Sequence, residues 1–329
     1  MPEVVRRDRS IALTLLAALV CAVFVAACGS SSTTKKGEPA TLKVGVISIA
    51  DVAPLYLGMK KGFFKEQKLT IQPKPAEGGA AIVASVVSGD DQIGFSNTTS
   101  LLIANTKNVP VKLIAQGVIG AQKPTPDQAW DAVLVKKNSS IKTAKDLEGK
   151  TISVNTLQNV GPLTINTALK KAGADYKKVK YSEIPFPDAL GALDQGRIDA
   201  AWEVEPFVSQ AKSQGDRVVL YPYEQTTPKL TVASYLTTKQ YADQNSDVVD
   251  RFVKAINKSL TYAQSHPAEV RKIVPTYTKI PAGAAKTMNL PLWSSDIGRP
   301  TIELQNKLSQ DYGFQKKQAD LDDLIRPQK

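Results

Sequence analysis

From residue 42 onward the chain alternates between short runs of strand-like apolar alternation and stretches with helical spacing. That rhythm constrains the fold more than any other feature. Residues 42–49 (Leu-Lys-Val-Gly-Val-Ile-Ser-Ile) read as a strand, and 54–60 as a helix that begins at a proline and turns out through Gly62, Phe63 and Phe64. Residues 69–73 form a second strand. Gly78 and Gly79 open a helix over 80–88, with Ile82, Val83, Val86 and Val87 on one face and Gly89 as the stop. A short strand at 92–95, a helix at 98–105 and a strand at 111–115 complete the run. Such a βα succession predicts a mostly parallel sheet covered by helices.

A second run follows the same plan. Strands are expected at 132–136, 151–154, 179–183 and 198–202, with helices at 143–147, 162–172 and 187–195. Strands at 218–221 and 231–237 lead back toward the first lobe. The remainder reads as helices at 248–264, 267–274, 282–288, 302–312 and 321–325. No repeat of fixed period is present, and only the architecture recurs. At 329 residues, the chain is too long for one small core and sized for two packed domains.

The first forty residues are of another kind. Arg6, Arg7 and Arg9 precede an uncharged stretch at 11–27. Its seventeen residues are short for a membrane-spanning helix and suit the apolar region of a secretory signal. Val25-Ala26-Ala27-Cys28 followed by a Ser/Thr tract resembles a bacterial lipobox. That resemblance implies cleavage before Cys28 and a diacylglycerol thioether on its sulfur. Residues 1–27 are then a signal peptide, and 28–40 a lipidated Cys with a flexible tether. A lipid of two chains suffices for stable membrane attachment.

Composition excludes several functions. Processing would discard Cys21 and consume Cys28, leaving no free thiol and no disulfide. The single His266, between Ser265 and Pro267, reads as part of a helix cap. Nucleophilic triads and His-rich metal sites therefore lack their residues. No cofactor or metal is implied, since neither a phosphate loop nor a dinucleotide fingerprint is present. The formal charge of +11 becomes +10 once three arginines and two acids leave with the signal. The remaining lysines are scattered rather than interleaved with aromatics, which argues against a nucleic-acid partner.

In open α/β sheets, ligands sit beyond the carboxyl ends of strands, near helix starts that offer unpaired N–H groups. The segments placed there contain Asp51, Val52, Ala53 and Tyr56; Gly78, Gly79 and Ala80; Ser96, Asn97 and Thr98; Asn155, Gln158, Asn159, Val160 and Gly161; Phe186; and Glu203. The glycines serve either a ligand's close approach or ordinary helix caps and tight turns. Asp51 and Glu203 are candidates to pair a ligand amine, or else belong to a solvated face or hinge. Glu205-Pro206 reads as a turn. Tyr56 and Phe186, in loop or helix-start segments, are the aromatics best placed to line a pocket.

Several motifs, taken in order, resemble one family. They are Ala53-Pro54-Leu55-Tyr56-Leu57-Gly58 with Gly62-Phe63-Phe64, Gly78-Gly79 with Ser88-Gly89-Asp90 and Gly94-Phe95-Ser96, and Asp146-Leu147-Glu148-Gly149-Lys150. Ala192-Leu193 with Gly196-Arg197-Ile198-Asp199-Ala200-Ala201 and Glu205-Pro206-Phe207 completes the set. Together they are similar to substrate-binding proteins of ABC importers, of the sulfonate/taurine/nitrate and thiamine-precursor class. The resemblance covers residues 41–327. It implies a type II periplasmic-binding fold: two α/β lobes joined by two crossover strands, lobe one at 41–130 plus 225–329 and lobe two at 131–224. It implies a monomer that holds a small anionic or zwitterionic ligand between the lobes and delivers it to an ABC permease. Asp51 to Tyr56, Gly78 to Ala80, Ser96 to Thr98, Asn155 to Gly161 and Glu203 fall on cleft-lining segments. In relatives that bind an aminosulfonate, an acid near Glu203 is expected to meet the amine. The same fold family includes pyrimidine-precursor synthases, whose His and Cys chemistry this chain lacks.

Overall fold

A computed structural model describes residues 36–123, 125 and 127–327; the expected signal peptide and Cys28 lie outside the described residues. The strands are β1 (Ala40–Val46), β2 (Leu69–Pro75), β3 (Ile93–Asn97), β4 (Val111–Ile119), β5 (Asp131–Val135), β6 (Thr151–Val154), β7 (Lys180–Glu183), β8 (Ala200–Val204), β9 (Arg217–Leu220), β10 (Thr231–Thr238) and β11 (Leu292–Trp293). They form two sheets, ordered β11-β4-β10-β3-β1-β2 and β7-β6-β8-β5-β9. The chain crosses from the first sheet to the second between β4 and β5, and returns between β9 and β10.

Both sheets are wound alike. In each, the first strand sits between the second and third in parallel, and the strand brought in by a crossing runs antiparallel beside the third. That incoming strand is β10 in the first sheet and β5 in the second. The central strands β3, β5 and β8 are buried at every residue, as strands covered on both faces must be. At the edge, β2 carries Pro73, Lys74 and Pro75, which discourage a further strand from pairing there.

The helices follow the apolar spacing. The helices α1 (Ala53–Lys61), α2 (Gly79–Ser88), α3 (Thr98–Thr106), α4 (Val160–Lys171) and α5 (Phe186–Asp194) each follow a strand or loop of the predicted rhythm. The α2 helix stops at Gly89, which adopts the left-handed conformation (φ 86°). The twenty-residue helix Ser246–Ser265 buries Val248, Val249, Phe252, Ala255, Ile256, Leu260 and Ala263 along one face.

Some expectations change. The strand near 218–221 does not return to the first lobe: β9 pairs with β5 at the edge of the second sheet. The strand begun at Val111 runs on to Ile119, because β10 and β11 flank it on both sides. Helix α4 begins at Val160, two residues before Pro162, since the Asn159 side chain accepts from the Gly161 N–H at 2.9 Å. Gly37 and Glu38, read as tether, are fastened to the body by Asp247 and Arg251. The helix Phe207–Gln214 and the two-residue strand β11 were not anticipated. The first is short and largely polar, and the second is too short to show a period.

Candidate functional site

Between the two sheets lies a narrow cleft cavity of about 30 Å³, room for one or two water molecules. The first sheet and its loops contribute Ile47, Ile49, Asp51, Phe95, Asn97, Val232 and Ala233. The second contributes Asn155, Asn159, Val160, Phe186, Trp202, Val204 and Tyr223. Among the described residues the wall thus comes equally from both halves, and it contains no Lys, Arg or His. A solute larger than a few atoms requires the halves to part.

Asp51 follows β1 in a single 3₁₀ turn (Ala50–Val52). It is only 3% exposed, and its Oδ1 has no hydrogen-bond partner. Burial pushes its carboxyl up to about 8, with its own backbone amide opposing weakly. The segment is held from behind. Trp293 Nε1–H donates to the Asp51 carbonyl at 2.9 Å, and the Tyr277 hydroxyl donates to the Ile49 carbonyl at 3.1 Å. Tyr277 also stacks on Tyr56, with ring centroids 3.9 Å apart and planes within 2°. The hydroxyl of Tyr235, fully buried in β10, is likewise without a partner.

On the opposite wall, the Trp202 indole is fixed by a bond from Nε1–H to Asp131 Oδ2 at 3.0 Å. The other Asp131 oxygen accepts the Tyr223 N–H at 3.3 Å. Burial, and then the neighbouring Glu224 carboxyl, hold Asp131 well above the usual carboxylate range. Phe186 packs against Trp202 at 5.4 Å, and Tyr223 meets the same indole edge-on at 6.0 Å. The cavity is therefore polar at Asp51 and the three asparagines, and aromatic on its second-sheet side.

Three helix starts meet beside it. Asn97 Oδ1 caps α3 by accepting the Ser100 N–H at 2.9 Å, and Asn159 caps α4. The start of α2 at Gly78 has no side-chain cap. A Cβ on Gly79 would lie 2.4 Å from Ser96 Oγ and 2.6 Å from Asn97 Nδ2. One on Gly78 would lie 2.6 Å from Thr156 Oγ1 of the other half. The α2 start is thus wedged between Asn97 and the Asn155-Thr156 turn. Outside this constriction a groove of about 490 Å³ opens, bordered by Ala80, Val83, Ser100, Thr156, Leu157, Gln158 and Glu183.

Residues 49–270 match the NMT1/THI5-like family. The chain belongs to that family. It is 29% identical over 198 residues to the taurine-binding periplasmic protein of Escherichia coli K12, covering 59% of this chain and 57% of that one. It is 23% identical over 232 residues to 4-amino-5-hydroxymethyl-2-methylpyrimidine phosphate synthase of Aspergillus parasiticus, covering 66% and 64%. The matches thus span under two thirds of either relative's length. The alkanesulfonate-binding protein of Xanthomonas axonopodis pv. citri, solved with MOPS, superposes with a TM-score of 0.71 at 17% identity, covering 86% of this chain and 96% of that one. The fold is accordingly the two-lobed type II periplasmic-binding fold.

In this NMT1/THI5-like chain the expected site residues fall in distinct places. Asp51, Asn97, Asn155, Asn159, Val160 and Phe186 surround the inner cavity. Gly78, Gly79 and Ser96 form the constriction, and Ala80 and Gln158 border the outer groove. Val52 and Ala53 are core residues, and Tyr56 lies against Tyr277. Thr98 is buried at the α3 start, its Oγ1 unpartnered. Gly161 accommodates the Trp202 ring, which a Cβ there would approach to 2.5 Å. Glu203 alternates with Trp202 and Val204, so it faces away from the cavity, on the side of Ala201. Both its carboxylate oxygens are unpartnered, and burial raises its pKa strongly. Glu205 accepts from the Ser209 N–H and hydroxyl and from the Asn289 N–H, so it does more than shape a turn. Tyr223, Tyr235 and Tyr277 escaped the sequence reading. Each lies far along the chain from Asp51, and no local pattern distinguishes them from core tyrosines.

Proposed function

We propose that the chain is a lipid-anchored extracytoplasmic solute-binding protein that captures a small anionic or zwitterionic organic ligand, of the sulfonate, taurine or nitrate kind, and delivers it to an ABC permease. The observation that carries this reading is the cavity walled equally by two α/β halves, beside a helix start that no side chain caps. Backbone N–H groups at such a start favour an anion without any lysine or arginine. Similarity to a taurine-binding relative supports the ligand class. In this reading residues 41–130 with 225–329 form lobe one and 131–224 lobe two, and hinge closure traps the ligand. Residues 1–27 direct export, Cys28 carries the anchor, and the protein works as a monomer on the outer face of the cytoplasmic membrane. The experiment is native mass spectrometry of freshly purified protein, followed by thermal-shift titration with taurine, alkanesulfonates, nitrate and aminopyrimidines. A retained small molecule and a raised Tm with one of the first three support the reading; no shift with any of the panel overturns it.

A second reading has an observation in its favour. Phe186, Trp202 and Tyr223 bring three aromatic rings to the cavity wall, which suits a pyrimidine or thiamine precursor; a shift with aminopyrimidines alone selects it. Use of the same site for sensing without transport is distinguished by whether ligand uptake requires the protein. We read the chain as a binder rather than a synthase. Its one histidine, His266, is stacked on Tyr262 at 3.8 Å and is not among the residues around the cavity.

A further inference from the structure

We propose that Asp51, with the aromatic residues that share its cavity, is the subsite for a ligand ammonium group, so that the natural ligand is a zwitterion rather than a simple anion. The inference rests on the solute-binding reading above and narrows its ligand class. A buried carboxylate is costly unless a donor reaches it. Among the described residues Asp51 Oδ1 has none, and no cationic side chain lies around the cavity. On the wall opposite Asp51 stand Phe186, Trp202 and Tyr223, with Phe95 on its own side, and aromatic rings attract a desolvated cation. A sulfonate or nitrate alone would bring acceptor oxygens to an acceptor. An ammonium brings three donors and a positive charge.

The titratable groups around Asp51 reinforce this. Tyr56, Tyr223, Tyr235 and Tyr277 are near enough to feel its charge or one another's, and burial raises each of them. They stay neutral near pH 7 and supply no counter-charge. With the halves closed over it, burial lets Asp51 hold its proton up to about pH 8. Capture of an ammonium then exchanges that proton for the cation: the carboxyl ionises, the proton leaves to solvent, and the ligand amine stays protonated. Below the carboxyl's pKa, affinity should rise about tenfold per pH unit and level off near pH 8.

The test compares taurine with ethanesulfonate, which has the same anion without the amine, by titration calorimetry at pH 6, 7 and 8 in buffers of different ionisation enthalpy. Taurine should bind the wild type at least tenfold more tightly at pH 8. Its Kd should fall about tenfold from pH 6 to 7, with release of close to one proton. Ethanesulfonate should show neither effect. D51N should lose the taurine advantage and the pH slope. Equal affinity for the two sulfonates, or a taurine slope that persists in D51N, overturns the Asp51 subsite and leaves the solute-binding reading standing. Silence of both sulfonates toward the wild type overturns the sulfonate reading, and this one with it. The ligand pair decides the matter on the wild type even if D51N fails to fold.

Discussion

Asp131 Oδ2 accepts the Trp202 indole N–H at 3.0 Å, tying the first strand after the crossing to the wall of the cavity. Trp202→Phe keeps most of the ring and removes that donor. Asp131, fully buried, then keeps the Tyr223 N–H at 3.3 Å and its neighbour Glu224. Leaving a buried acceptor short of a partner costs about 1–3 kcal/mol. Urea denaturation should show that loss in Trp202→Phe, and a larger one, about 3–5 kcal/mol, in Trp202→Ala, where a cavity is added. An unchanged midpoint in Trp202→Phe would mean that the bond does not hold the indole.

The glycines at the constriction are set by protein rather than by ligand. A methyl at Gly79 would come within 2.4 Å of Ser96 Oγ. Gly79→Ala should destabilise by about 1–3 kcal/mol through overpacking, and Ser96→Gly in the same chain should return part of that loss. Gly161→Ala, pressed against the Trp202 ring at 2.5 Å, should lose a similar amount without relief from Ser96→Gly. Additive effects in the Gly79/Ser96 double variant would refute the contact.

Asp51 predicts a pH dependence of defined sign. Its carboxyl ionises near 3.8 in the unfolded chain and at about 8 in the folded one. Below the first value both states are protonated and the site contributes nothing. Above it the unfolded chain releases the proton and the folded chain keeps it, so the site lowers stability as pH rises from about 4 to 8. Asp51→Asn removes this penalty. The variant should match the wild type near pH 4 and exceed it by several kcal/mol, on the order of 5, at pH 8. Parallel wild-type and variant stability curves across that range would count against a buried, unpartnered carboxyl.

Much of the fold was legible because the local signals agree with it. The proline-led helix at Ala53–Lys61, the Gly89 stop and the strand Thr151–Val154 each carry their own pattern. What the sequence could not supply is pairing between distant segments. Arg217–Leu220 looks like any returning strand until its partner β5 is known. The face of Glu203 depends on the register of β8, and a shift of one residue would reverse it. The cavity shows the same limit. Asp51, Asn155, Asn159 and Phe186 sit at helix-start or loop positions that sequence can mark, whereas Tyr223 comes to it through topology alone.

Glu205 offers the last test, at a point where distant segments of the chain are fastened together. Its Oε1 accepts the Ser209 hydroxyl at 2.9 Å and the Asn289 N–H at 3.1 Å, while Oε2 accepts the Ser209 N–H at 3.1 Å. Asn289 in turn donates from Nδ2 to the Ala129 carbonyl at 2.6 Å, beside the crossing. Burial raises the Glu205 carboxyl to about 7, and the bonds from Ser209 and Asn289 together with the charge of Lys212 restrain the rise. The unfolded value is near 4.5, so stability from this site falls as pH climbs from 4.5 through 7. Glu205→Ala strands three donors and should cost about 2–4 kcal/mol. Glu205→Gln keeps one carbonyl for Ser209 Oγ and Asn289 but turns an amide toward the Ser209 N–H, so its cost should be smaller, about 1–3 kcal/mol, with the pH slope gone. Hydrogen exchange should quicken at Asn289 in Glu205→Ala well before global unfolding. Protection at Asn289 equal to the wild type would show that this carboxyl does not hold the two segments together.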